Sequence, residues 1–197
     1  MARVKADTSR KIAAVLAGGL VLGIGAATTL AAWTDSQHAT ATFTAGIFAL
    51  ESKTEGTDWQ SHPAADPAKL VAGTAGLTPG ASGFGHLDVR TTAESSVGGT
   101  VVLGPVATDA KSDEAMIAVL ESRFKVIPRG STCNASALAE ATFQSVAEKP
   151  LVADQTVPAG GTTAVRYCLE VRMSPDAPSA VQGTTASLVW TFTGTNT

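Results

Sequence analysis

Beyond residue 38, apolar and polar residues alternate with period two through much of the chain. Ala39, Ala41, Phe43, Ala45 and Ile47 alternate with Thr40, Thr42 and Thr44. The phase then slips, and Phe48 and Leu50 carry the apolar positions on the other parity, with Gly46 at the slip. A glycine at such a phase change predicts a bulge or bend in a strand. Later runs repeat the alternation: Leu87 and Val89 in "HLDVRT", Val101, Leu103 and Val106 in "GTVVLGPVA", Val165, Tyr167, Leu169 and Val171 in "AVRYCLEVRM", and Ala186, Leu188, Trp190 and Phe192 in "TTASLVWTFTGT". Successive side chains of a strand point to opposite faces, so each set predicts one apolar face. "RFKVIP" reads as a shorter strand. Two segments read as helices. "SDEAMIAVLES" has Ser112 placed to cap it and Asp113 and Glu114 at its positive end. "ASALAEATFQSVAEK" is rich in alanine, the strongest helix former. Glu51 to Gly80 is dense in turn residues and reads as a loop region. Short strands separated by turns, with few helices, predict an all-β fold: a jelly-roll-like antiparallel β-sandwich with one or two short helical insertions.

Ahead of the alternation lies a segment of a different kind. Arg3, Lys5, Arg10 and Lys11 form a basic head, and Ile12 to Thr34 carry no charge. A basic head, an apolar run and small residues at its end make a secretory signal. Thr29 and Ala31 have the small-x-small spacing that places the cut before Ala32. The expected division is a signal helix over 1–31 and a β-sandwich domain over 32–197. The run is also long enough to span a bilayer if it is not cut, although Gly18, Gly19, Gly23 and Gly25 make it weakly apolar. Contact with a membrane is then expected only through this uncleaved segment.

Charge and cysteine content narrow the setting. The whole chain holds 14 basic and 17 acidic residues; without residues 1–31 it holds 10 and 16, a net charge of −6. A mildly acidic domain lacks the basic footprint of a nucleic-acid binder. Cys133 and Cys168 both fall in the exported part. In an oxidising compartment an even pair predicts one disulfide, with two buried thiols as the alternative. On the alternation of its strand, Cys168 faces away from Tyr167 and Leu169, beside Arg166 and Glu170. That position suits a bridge to a loop covering the outer face.

Searching for chemistry gives mostly exclusions. His38, His62 and His86 stand apart, with no His-Glu-x-x-His, and the cysteines lack a Cys-x-x-Cys spacing. In "GASGFGHLD", Phe84 breaks the nucleophile elbow begun at Gly80 and Ser82, and Asp88 breaks the dinucleotide fingerprint begun at Gly83 and Gly85. No pattern calls for a cofactor or a metal, and the sequence reads as a non-enzyme.

Four landmarks carry a family resemblance. "GIGAATTLAAWTDS" resembles the signals cut by the SipW type of signal peptidase. "ATFTAGIFAL" is similar to the Ala-Thr-Phe-x-x-Gly segment that follows in the TasA and camelysin family, with Phe48 at a position where that family has Leu. "LTPGAS" resembles its Leu-x-Pro-Gly turn, and "AVQGTTASLVWTFTGT" its C-terminal Gln-Gly strand. High Ala, Gly and Thr content points to an actinobacterial relative. Residues 111–159 match no landmark. The resemblance implies a secreted, cell-surface or matrix (biofilm) fibre subunit, partnered by itself or a homologous subunit. It implies a donor strand carrying Ala39, Ala41, Phe43 and Ala45, which leaves its own copy and completes the sandwich of the next. The same pattern equally fits an ordinary first strand of a monomer. Two other functions stand beside it: an extracellular carbohydrate-binding or adhesive module, for which Trp59 is the stacking candidate, and a camelysin-like surface protease.

Overall fold

The structure is a computed structural model that describes residues 9–18, 36–70 and 76–196. Its two units are Met1–Phe43 and Thr44–Thr197. In the first, residues 9–18 are α-helical (α1) and residues 36–43 are exposed and form no helix or strand. The expected cleavage pair, Ala31 and Ala32, lies outside the described residues. Among the described residues no helix is long and apolar enough to cross a membrane.

The second unit is the expected all-β sandwich. Its strands are β1 (Leu50–Lys53), β2 (Ser82–Thr91), β3 (Gly99–Thr108), β4 (Leu120–Ile127), β5 (Gln144–Ser145), β6 (Gln155–Val157), β7 (Val165–Met173) and β8 (Leu188–Asn196). One sheet has five strands in the order β1-β2-β7-β4-β5; the other has three, β6-β3-β8. All pairs are antiparallel. The sequence alternation holds: Leu87, Val89, Tyr167, Leu169 and Val171 are buried between the sheets. Trp190 packs edge-on against Phe124 of β4, and Phe192 against Tyr167 of β7. Near its end, Gly194 meets Leu50 of β1 and the ring of Phe48, so closely that a Cβ there would lie 2.6 Å from the Leu50 side chain. β8 thus crosses several strands of the larger sheet, as strands do when two sheets pack at a steep angle.

The helices differ from expectation. Only Glu114–Val119 (α2) forms in the first segment, and its cap is Asp113, whose Oδ1 accepts from the N–H groups of Ala115 and Met116. The Ser112 hydroxyl bonds the Ser187 backbone instead. Leu120, Ser122 and Phe124 alternate into the core, and pairing of Leu120 with Met173 starts β4 where the helix pattern would have continued. The alanine-rich segment is not helical: it holds turns and the short β5. Tertiary contacts override its propensity. Asn134 Oδ1 accepts from the Ala137 N–H, and Leu138 is wholly buried with Cys168 and Ile127.

That segment is the loop covering the outer face of the larger sheet. The Cys133–Cys168 disulfide forms, with the Cα atoms 5.4 Å apart, which replaces the alternative of two thiols. Arg166 Nη1 and Arg123 Nη1 bind the loop carbonyls of Ser131 and Ala141. The rest of the outer face is a set of ion pairs: Arg90 with Glu51, Arg166 with Asp88, Arg123 with Glu170 and Arg172 with Glu121. Asp88 is fully buried, and Arg166 holds both its oxygens at 2.6 and 2.8 Å.

Candidate functional site

A five-stranded sheet needs a wide partner, and here the partner has three strands. The shortfall falls beside β8. Among the described residues β8 pairs with β3 alone, so its other edge carries unpaired N–H and C=O groups. Its inward side chains Leu188, Trp190 and Phe192 are only partly buried, although each packs on the core. Beyond that edge opens a cleft of about 1380 Å³, floored by Leu169, Val171 and Met173 of β7 and Leu120 of β4. Residues 61–70 and 177–187 form part of its walls. The floor is apolar because β7 puts every second side chain on the inner face. Trp190, on the cleft wall, has its indole N–H buried without an acceptor among the described residues.

Ala39, Ala41, Phe43 and Ala45, expected on a donor strand, are exposed and belong to no strand. Phe43 is 91 % exposed. Among the described residues, the strand-like alternation before Gly46 is therefore paired with no strand, and the expected bulge or bend in a strand is absent there. The phase slip marks a boundary instead. From Ile47 the chain is fixed: the Ile47 N–H donates to Ser96 Oγ at 2.8 Å, and its carbonyl accepts from the Ser96 N–H. The Ala49 carbonyl accepts from the Thr92 N–H, and Phe48 seats its ring against Gly99 and Gly194. The apolar parity that serves this fold begins at Phe48, whereas Ala45 and Ile47 on the other parity are exposed.

Trp59 sits elsewhere, on the outer side of β1. The Arg90 guanidinium lies 4.0 Å from its ring centroid, with Lys53 at 5.2 Å and Arg129 at 6.0 Å. Arg90 holds a stacking position of the kind a sugar ring would take.

A second, polar cleft of about 590 Å³ lies over β2, between residues 53–57 and the disulfide loop. His86 lies in it, with Nδ1 3.6 Å from Glu55 Oε2. Burial, with Arg166 close by, holds the His86 imidazole below its ordinary value. Ser82 shares the face of His86 on β2, but four residues along a strand separate them by roughly 13 Å. His62 bonds Ser52 and Gln60, and His38 is exposed. Among the described residues no group of three or more His, Cys, Asp or Glu side chains is placed to hold a metal ion.

Sequence reasoning singled out Ala39, Ala41, Phe43 and Ala45 but missed the cleft. The signal was present in part: Leu188, Trp190 and Phe192 alternate in the last strand before the end of the sequence. What alternation does not carry is the number of strands in each sheet. No protein-family model matches the chain, and no curated protein matches it.

Proposed function

We propose that this chain is an exported structural subunit that assembles by donor-strand exchange: residues 38–46 of one copy pair with the free edge of β8 in the next. One observation carries the reading. The smaller sheet ends beside an apolar cleft, while the same chain holds an exposed, alternating segment that pairs with no strand among the described residues. β8 has nine residues, and the exposed stretch 36–47 is long enough to run beside it.

The chemistry of the two surfaces agrees. An added strand bonds through its backbone, and its alternate side chains enter the groove. Ala39, Ala41 and Ala45 are small enough to lie beside Leu188 and Phe192, over the floor at Leu169 and Val171, and Phe43 is the one large side chain. A head-to-tail contact of this kind does not close on itself and grows filaments. The setting is extracellular or at the cell surface: the N-terminal segment has the form of an export signal, and the disulfide suits an oxidising compartment. Likeness to the TasA and camelysin family in four sequence landmarks supports the same role, with a SipW-type signal peptidase freeing the donor end.

Electron microscopy of the processed chain tests the reading. Filaments are expected. Deleting residues 32–42 abolishes them while circular dichroism keeps the β spectrum, because those residues lie outside the sandwich unit. Filaments that persist in the deletion variant refute donor exchange. Loss of the β spectrum makes the segment an intramolecular strand.

A further inference from the structure

The cleft beside β8 is partly filled. Ala68 and Leu70, two residues apart as on a strand, pack into the interior: Ala68 on the cluster around Leu87 and Tyr167, and Leu70 on that cluster and on the one around Leu169 and Val171. Phe192 of β8 packs on the same two clusters. Leu70 therefore covers core surface immediately beside β8. Its backbone tells a different story from its side chain. Among the described residues, 67–70 make no backbone–backbone hydrogen bond; the Lys69 carbonyl accepts one long contact, 3.4 Å from Thr54 Oγ1. Pro67 has no N–H to offer a ladder. The segment enters the groove as a strand's side chains would, without the bonds of a strand.

We propose that residues 67–70 are a displaceable plug. In a lone subunit Leu70 and Ala68 shield the cleft floor. The incoming donor supplies both the apolar side chains and the backbone ladder to β8, so it replaces the plug and drives it out. Opening of the plug then gates assembly. This rests on the donor-strand reading of the cleft. A weak plug has a clear physical role: it keeps an exposed apolar groove from nonspecific association while remaining easy to displace, since few bonds hold it.

The test uses the processed chain below its assembly concentration and a synthetic peptide of residues 36–48. With a gate, the observed binding rate levels off as peptide concentration rises, because opening becomes limiting. Leu70→Ala removes most of the buried plug surface and raises the plateau roughly tenfold. A solvatochromic dye on Lys69→Cys, an exposed position, reports plug movement in a protein whose interior is unaltered. Its emission is expected to change in step with peptide binding. Binding that rises linearly with concentration, is unmoved by Leu70→Ala and leaves the dye silent overturns the plug and leaves donor exchange standing. No peptide binding to either the parent or Leu70→Ala overturns both.

Discussion

On the donor-strand proposal, Phe43→Ala isolates the junction between subunits from the fold of each subunit. In the free copy Phe43 is 91 % exposed, so truncating it removes almost no contact within its own chain. Seated in the cleft beside Trp190, it passes from water to an apolar site. Full burial of a Phe side chain contributes about 2–3 kcal/mol, and each 1.4 kcal/mol is a tenfold change in an equilibrium constant. The variant should therefore weaken each junction by about 30- to 150-fold. In a filament built from one kind of junction, the critical concentration tracks the junction Kd. Sedimentation at a series of concentrations measures it directly. The expected outcome is a critical concentration raised by that factor, with an unchanged thermal midpoint for the monomer. An unchanged critical concentration would refute the anchoring role of Phe43. A lowered monomer midpoint would show instead that Phe43 already packs within its own sandwich.

Three further outcomes follow from the fold itself. Replacing both cysteines, Cys133→Ser with Cys168→Ser, opens a bridge across a sequence separation of 35; the chain-entropy relation gives a loss of about 4 kcal/mol, read from urea unfolding, and a loss under 1 kcal/mol contradicts it. Arg166→Met leaves the fully buried Asp88 carboxylate without its bidentate partner and should cost about 3–5 kcal/mol; a variant as stable as the parent would show that Asp88 has other adequate partners. His86 has a folded-state pKa below 6.5, chiefly through burial and Arg166, against the opposing pull of Asp88 and Glu55. The unfolded chain thus binds the proton more tightly, and stability falls as pH drops through and below about 6.5. His86→Gln should lose less stability than the parent between pH 7.5 and pH 5; equal losses in both proteins remove His86 as the cause.

Strand faces were legible in the sequence because burial of one face forces period-two alternation, as in Tyr167, Leu169 and Val171. The outward direction of Cys168 was legible for the same reason, and with it the covering loop. Helices were read less well. In "SDEAMIAVLES" the alternating Leu120, Ser122 and Phe124 hide inside a helical pattern, and pairing with β7 decides between them. In the alanine-rich segment, local propensity is overridden by the disulfide at Cys133 and by burial of Leu138. The expected strand through Ala39–Ile47 is the most instructive difference. Its alternation is real, but alternation states only that one face wants burial, not which copy supplies the partner. The cleft itself rests on a count of strands among the described residues, three against five, that no local pattern encodes.

Cryo-electron microscopy of the assembled chain tests the central claim most directly, because it shows what lies along the free edge of β8. The account expects an additional strand there, built from residues 38–46 of the neighbouring copy, with Phe43 in the cleft against Trp190 and residues 67–70 displaced. Filaments whose copies meet elsewhere, with the β8 edge still unpaired or covered by the chain's own residues, would contradict it.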